Sequence, residues 1–427
     1  MNEKGVSEEE LLEELSFFSG ADTNFKKVFS SMCTIPHPIA VAAQQQFSLS
    51  NIGDPGLFQG TCQMENKIIE MTAFMLNHPD PKSAFGHLTS GGTESNIEAV
   101  FHMKNRFLSS KNQSSNQPSS QSSIEISQNF QENERKLNLI LPETAHFSFE
   151  KIANLLDVEL KKSKVDSDFR VIPEFMASLI DENTIGLIGI AGNTEFGQCD
   201  PIENLSKIAL DHNLPLHIDA AFGGFVYPFL EKEIKFAFDF SGVTSVSLDP
   251  HKMGLSVIPS GILIFRNESF LNLSLDKVKV QTPYLTSKYQ STLTGTRSGS
   301  SVAGTYAVMK HLGQIGYKKN VAYCMDLVSH FQKKLLEIGL RPRILPEINI
   351  IVVSLEKTKP NGIIEIVNYS EIEKIRSQLL KEYGWNVSAT KTIPALRFVL
   401  MPHVTKEDIT LLISDLKKII CSENEEI

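Results

Sequence analysis

Strand-like and helix-like segments alternate through the middle of the chain, and that alternation limits the possible folds more than any other feature. Gly86 to Thr89 reads as a strand and Glu94 to Leu108 as a helix; Leu137 to Leu141 reads as a strand and Phe149 to Leu156 as a helix. A strand over Ile185 to Ala191, a helix over Pro201 to His212 and strands at 215–219 and 244–248 continue the order. Short apolar runs separated by helical ones predict an α/β fold with a mostly parallel sheet covered by helices. From about Ser301 the pattern changes to long helices, two short strands near Ile348–Ser354 and Ala395–Leu400, and a closing helix from Lys406 to Ile420. The expected organisation is an N-terminal helix and arm (1–55), a large domain (56–300) and a smaller α+β C-terminal domain (301–427), in keeping with a length of 427 residues.

Ser7-Glu8-Glu9-Glu10 has the spacing of a capping box ahead of Leu11, Leu12, Leu15 and Phe18, so the chain is expected to open with an amphipathic helix. A Pro/Gly-rich connector follows, from Pro36 to Gly56, and then a long helical pattern from Gln63 to Asn77. The segment from Ser109 to Arg135 is rich in Ser, Gln and Asn and has almost no apolar spacing. Such a stretch cannot bury enough surface to offset its ordering entropy, and it is expected to be a disordered insertion.

The formal charge is −9 and there is no basic run, which argues against nucleic acid or an anionic membrane as the main partner. No apolar stretch approaches the roughly 18 residues that span a bilayer, and Met1 to Glu14 lacks the basic start and apolar core of a secretion signal. Cys33, Cys62, Cys199, Cys324 and Cys421 are scattered and show no C-x-x-C spacing. They read as thiols in a reducing compartment, with no metal site expected, and the protein is expected to be cytosolic.

The chemistry gathers at strand ends. Asp249-Pro250-His251-Lys252 follows the run Thr244 to Leu248, which places Lys252 just past a strand tip, where catalytic groups of α/β proteins collect. A lone lysine reads first as a solvated surface residue. Here Leu216-His217-Ile218-Asp219 is a second strand ending in an acid, followed by Ala220-Ala221-Phe222-Gly223-Gly224. A lysine able to form an imine and an aspartate able to hold a pyridinium nitrogen are the two groups that a pyridoxal phosphate enzyme needs most.

Thr89-Ser90-Gly91-Gly92-Thr93-Glu94-Ser95-Asn96 joins a strand to a helix, where free amides and the helix dipole favour an anion; hydroxyls of Ser90, Thr93 and Ser95 add donors. No P-loop lysine is present, so a nucleoside triphosphate is not the expected ligand. His146 follows another strand and could lay its flat ring on a pyridine ring. Asn193 and Thr194, in Ala191-Gly192-Asn193-Thr194-Glu195-Phe196-Gly197, could bond a phenolic oxygen; Ala221 would leave room for the ring.

Together TSGGTESN, AHFSFEK, GNTEFG, HIDAAFGGF and SLDPHKMGLSVIPSG resemble the group II pyridoxal-phosphate-dependent decarboxylases, above all the archaeal L-tyrosine/L-aspartate decarboxylase branch. The segments at Met32–Ile39, Leu293–Gly299 and Leu396–His403 extend the likeness over nearly the whole chain apart from 109–135. The resemblance implies an aspartate-aminotransferase-type (fold type I) enzyme that binds pyridoxal 5'-phosphate, and a homodimer with sites at the subunit interface. It implies that Lys252 is the imine-forming lysine, Asp219 the ring-nitrogen partner and His146 the stacking ring, with Gly92, Thr93 and His251 near the phosphate. Thr194 matches the phenolic-oxygen neighbour, although Asn193 stands where many relatives carry threonine. Arg397 resembles the arginine that meets a substrate carboxylate, and its planar fork suits that role. Arg297 reaches the phosphate or substrate of the other subunit in this reading, or forms an ordinary ion pair, and Tyr284 or Tyr289 is a candidate proton donor. The implied activity is decarboxylation of L-aspartate to β-alanine or of L-tyrosine to tyramine. A sphingosine-phosphate-lyase-like aldehyde lyase and a non-catalytic scaffold of the same fold are the alternatives.

Overall fold

The computed structural model describes residues 4–23, 25–114, 136–272, 274, 279–283, 285–286, 289–358 and 364–425. Its centre is a seven-stranded sheet of β1 (Phe85–Thr89), β2 (Asn138–Pro142), β3 (Glu159–Ser163), β4 (Thr184–Ile190), β5 (Leu216–Asp219), β6 (Val243–Leu248) and β7 (Gly261–Phe265), in the order β1-β7-β6-β5-β4-β2-β3. Neighbours from β3 through β6 pair in parallel, and β7 alone runs antiparallel to both of its neighbours. The twelve residues between β6 and β7 form turns and no helix, and the chain comes straight back as an antiparallel strand. Lys252 sits in that turn.

The expected alternation holds with shifts of a residue or two at most ends. The helix expected over Glu94 to Leu108 is longer, α4 (Gly92–Ser114), after α1 (Glu8–Ala21), α2 (Pro38–Gln46) and α3 (Gln59–Met75). Its last turns cover Ser109 to Ser114, which the sequence assigned to the disordered insertion; residues 115–135 lie outside the described ones. α2 replaces part of the expected connector: Pro38 occupies the first helical turn and the His37 side chain accepts from the Ile39 amide. β3 was not foreseen. It is an edge strand whose ELKKS sequence is buried at Ser163 alone, so no apolar alternation marks it.

All of β4 is buried; Leu187 packs with Ile218, Val246 and Ile262 in the main core, while Ile185 and Ile188 pack with Leu139, Leu141 and Leu263 in a separate cluster. A second core lies around a three-stranded sheet of β8 (Ile350–Val353), β9 (Ser388–Ala389) and β10 (Leu396–Val399), all antiparallel. The long helix Gly299–Glu337 serves both: Val302, Met309 and Tyr317 join the first core, and Leu327, Phe331 and Leu335 the second. The boundary read at Ser301 thus falls where this shared helix begins. Phe29 of the N-terminal arm also enters the second core, tied by the Phe29 amide to Asn386 O (2.8 Å) and the Val399 amide to Phe29 O (2.7 Å). α1 forms with the expected capping box between Ser7 and Glu10, yet it buries no residue.

α4 is fastened to β1 by charge inside the core. Glu98, 2% exposed, has His87 Nε2 at 3.2 Å and His102 Nε2 at 3.7 Å from its two oxygens. Burial by itself would raise the Glu98 pKa, but the two histidines overcome it and hold it at about 2. The folded value lies below the ordinary 4.5, so the pairing stabilises the fold above that pH and is lost as pH falls from 4.5 toward 2. The difference corresponds to about 3 kcal/mol. Glu98→Gln should therefore lose about 3 kcal/mol in urea unfolding at neutral pH, and the deficit should shrink steadily as the titration approaches about pH 3. A deficit that is equal at both ends would show that charge is not the source.

Candidate active site

In-register pairing sets the strand ends side by side: Ile190 opposes Asp219, and Asp219 opposes Ser247. Above this edge opens a cavity of about 390 Å³. Its wall includes Gly92, Thr93, His146, Thr194, Asp219, Ala221, His251 and Lys252, so most of the residues singled out in the sequence meet in one place.

Lys252 is set by its turn. The Lys252 amide bonds Asp249 O (3.1 Å), the Leu255 amide bonds Lys252 O (3.1 Å), and a Cβ on Gly254 would meet Pro250 Cα at 2.6 Å. Lys252 Nζ stands 3.0 Å from Asp249 Oδ2. Burial opposes charge on the amine, yet Asp249 and, beyond it, Asp219 outweigh burial and hold the ammonium above the ordinary lysine range. Asp249, a member of the lysine motif given no role in the sequence reading, is thus the amine's charge partner, and its buried Oδ1 has no hydrogen-bond partner.

Asp219 accepts from Asn96 Nδ2 at 2.9 Å and from the Ala221 amide at 3.1 Å. His146 Nδ1 accepts from the Ser148 amide (3.3 Å), which places the neutral ring's proton on Nε2; burial lowers its pKa against the attraction of Asp219. The start of α4 also lines the cavity. Its first intrahelical bond runs from the Ser95 amide to Gly91 O (3.1 Å), so the preceding amides have no partner within the helix. A Cβ on Gly92 would come within 3.2 Å of both Ala221 Cβ and Asp249 Oδ2, so a side chain there would crowd the cradle. Ser90 and Thr93 line the cavity as expected. Ser95 does not: it is fully buried, and its hydroxyl pairs with Thr89 Oγ1 at 2.7 Å. Asn193 also turns away, using its amide on the Phe196 amide (2.7 Å) and Phe169 O (3.3 Å).

A second pocket of about 420 Å³ shares Thr144, His146 and Thr194 with the first and continues past Phe147 and Lys391 to Arg397. Arg397 lies on β10 at 5% exposure; Nε donates to Thr194 O (2.7 Å), Nη1 to Ser388 Oγ (3.0 Å) and Ser30 O (3.2 Å). Burial pushes its pKa down to about 10 against the pull of Glu195, and Nη2 is buried without a partner. Arg297 is not brought to the cavity. Its guanidinium forks onto Glu65, with Nη2 at 3.2 Å from Oε2, and Nη1 also donates to Leu88 O at 3.2 Å. Tyr289 is half exposed and lines neither pocket, and Tyr284 lies outside the described residues.

Behind Asp219 lies a polar chain that sequence reasoning did not find. Asn96 Oδ1 accepts from Ser247 Oγ (2.8 Å) and His217 Nε2 (3.0 Å), and His217 Nδ1 is 2.9 Å from Ser245 Oγ. Burial drives the His217 pKa down to about 4, so the ring is neutral. The available signal was polar residues alternating through otherwise apolar strands, at His217, Ser245 and Ser247.

An amine on a turn, a carboxylate at a strand end and a helix N-terminus around one cavity fit an aldehyde-bearing, phosphorylated pyridine. The helix amides suit its phosphate, Lys252 its aldehyde carbon and Asp219 a protonated ring nitrogen. The pyridoxal-dependent decarboxylase conserved domain matches residues 59–356. A probable L-tyrosine/L-aspartate decarboxylase of Methanosarcina acetivorans is 48% identical over 98% of this chain and 99% of its own length. A probable L-aspartate decarboxylase of Archaeoglobus fulgidus is 40% identical over 96% and 99%. Among solved structures, Lactobacillus brevis glutamate decarboxylase superposes with a TM-score of 0.84 at 20% identity, covering 98% of this chain and 93% of that one. Burkholderia pseudomallei sphingosine-1-phosphate lyase gives 0.79 at 24%, covering 98% and 92%. These two likenesses establish the fold, type I of the pyridoxal phosphate enzymes, and extend equally to a decarboxylase and a lyase. With the cavity's amine, carboxylate and anion cradle in place, the family match shows that this chain belongs to the pyridoxal-dependent decarboxylases and is a pyridoxal-phosphate-dependent amino acid decarboxylase.

Proposed function

We propose that the enzyme decarboxylates L-aspartate, L-tyrosine or both, with Lys252, Asp219 and His146 around the cofactor and Arg397 on the substrate carboxylate. The observation that carries this assignment is the unpartnered, buried Nη2 of Arg397, in a pocket that shares a wall with the cofactor cavity. A buried charged donor without a partner costs free energy until an anion satisfies it, and an amino acid supplies that anion. The names of the archaeal relatives support the two substrates. The sequence offered a surplus of arginines as a reason to favour the acidic one, but Arg297 is committed to Glu65, so the arginines no longer separate the two.

Bound pyridoxal phosphate supplies the electron sink for loss of carbon dioxide. Lys252 supplies the amine, and Asp249 holds its proton at Nζ until the amine is used. Asp219, fixed through both oxygens, offers a stationary negative charge to a protonated ring nitrogen. His146 presents a flat, neutral ring as one wall, and the α4 amides with Ser90 and Thr93 hold the phosphate at another. Gly92, Thr194, Ala221 and His251 complete the enclosure. Arg397 orients the carboxylate, and its rigid anchoring to Thr194 and Ser388 means that little ordering is needed on binding. We infer further that the enzyme works as a homodimer. α1 leaves Leu11, Leu12, Leu15, Phe17 and Phe18 exposed, and a second copy of the chain would cover them. A cytosolic setting suits five free cysteines, and among the described residues no helix is long and apolar enough to cross a membrane.

Borohydride treatment of the loaded enzyme followed by peptide mapping should place the pyridoxyl group on Lys252, and a label on any other lysine removes it from this role. Arg397→Gln should lower kcat/KM by about 10- to 100-fold with cofactor content unchanged, the loss of one charge-assisted hydrogen bond; unchanged kcat/KM would free Arg397 from substrate binding. Steady-state carbon dioxide release should be fastest on L-aspartate or L-tyrosine. Inertness toward both, with cleavage of a phosphorylated long-chain base to an aldehyde, would replace the decarboxylase assignment.

A further inference from the structure

We propose that Asn96 and His217 are positioning residues for Asp219, forming with Ser247 a one-way chain of hydrogen bonds that leaves both Asp219 oxygens as acceptors fixed at the cavity floor. The inference rests on the reading that Asp219 serves the cofactor's ring nitrogen.

The direction of the chain follows from its chemistry. His217 Nε2 at 3.0 Å and Ser247 Oγ at 2.8 Å both meet Asn96 Oδ1, and the serine hydroxyl and an N–H on His217 Nε2 donate there. Turning the amide over would set its Oδ1 against the ionised Asp219 carboxylate, acceptor against acceptor. Nδ2 must therefore face Asp219 Oδ2, at 2.9 Å. With Nε2 carrying the proton of the neutral ring, His217 Nδ1 is an acceptor for the Ser245 hydroxyl at 2.9 Å. The second Asp219 oxygen faces the Ala221 amide at 3.1 Å. With one donor on each carboxylate oxygen, the network favours the ionised, accepting form of Asp219.

Asn96 is 1% exposed, and His217, Ser245 and Ser247 are fully buried. Apolar side chains would fill this space between α4, β5 and β6 without the desolvation cost of four polar ones. The polar chain reaches the cavity at Asp219 and at Asn96 beside it, both of which line the wall. Asn96 also lies in the first turns of α4, so the helix that forms the anion cradle and the strand that carries Asp219 are joined by this side chain.

The test compares Asn96→Asp, His217→Leu, His217→Gln and Ser247→Ala in the full-length holoenzyme. Turnover, the visible absorption spectrum and the affinity of the apoprotein for pyridoxal phosphate are measured beside thermal unfolding. Asn96→Asp and His217→Leu should lower kcat by about 10- to 100-fold, the effect of a lost hydrogen bond to a charged group, with KM changed by less than about threefold. The cofactor's absorption band should shift, and the apoprotein should bind pyridoxal phosphate about tenfold more weakly. Glutamine at 217 can still donate to Asn96 Oδ1, so His217→Gln should recover most of the loss. Ser247→Ala removes one donor and little volume; it should give a smaller loss of the same kind and keeps the test decisive if a larger change prevents folding. Wild-type turnover, spectrum and affinity in Asn96→Asp and His217→Leu, or in Ser247→Ala where those do not fold, would overturn the proposal. So would equal losses in His217→Leu and His217→Gln, which would mark a packing role. Asp219→Asn separates the two levels: if it retains wild-type turnover, the assignment of Asp219 to the cofactor fails; if it is inactive while Asn96→Asp is normal, only the positioning chain fails.

Discussion

Parallel pairing of β4, β5 and β6 brings their C-terminal ends to one edge, and the rest of the site depends on that alignment. Ile190, Asp219 and Ser247 are neighbours across adjacent strands although they are far apart in sequence. A strand end carries its side chains on a rigid frame, while the loop beyond it is free to vary its chemistry. The return from β6 into antiparallel β7 then places Lys252 on a tight turn at the same edge. A crossover helix after β6 would have carried the amine away from Asp219.

Charge at this edge is balanced locally. Asp249 and Asp219 together overcome the desolvation of the Lys252 ammonium, and Asp219 is steadied by amide donors without a cation in contact. The arrangement keeps a proton on the amine and gives the cavity both carboxylates and a positive helix end. That polarity suits a ligand with phosphate at one end and a cationic ring nitrogen at the other. Arg397 adds a cation: two of its nitrogens are bonded to the protein, the third is buried without a hydrogen-bond partner, and the residue lines the second pocket.

The frame around the cavity is stabilised from behind. Glu98 with His87 and His102 fixes α4 to β1, and Glu65 with Arg297 holds α3 against the same strand through the Leu88 amide. The N-terminal arm joins the second core at Phe29 and places Ser30 O on Arg397 Nη1. The cavity and Arg397 therefore belong to different cores, and the long helix Gly299–Glu337 and this arm link them.

Lys252, Asp219, His146 and the Gly-Gly turn were legible in the sequence because each follows an apolar run. A strand end is marked locally, by the change from buried to polar residues. The alternation of strands and helices was legible for the same reason, whereas β3 was hidden because an edge strand needs no apolar face. Which cations were free to act was not legible. Arg297 and Arg397 look alike in the chain, but one meets the Glu65 carboxylate from a distant helix and the other bonds carbonyl and hydroxyl oxygens that leave its charge unneutralised. The same holds for Asn96 and His217, whose roles lie in partners on other elements, and for Ser95, which turned inward. Local sequence determined where reactive groups could stand, because backbone period and burial are set within a few residues. Only the tertiary structure decided which of them were neutralised, aimed or left open, because a hydrogen bond or ion pair is a property of two positions that the chain must first bring together.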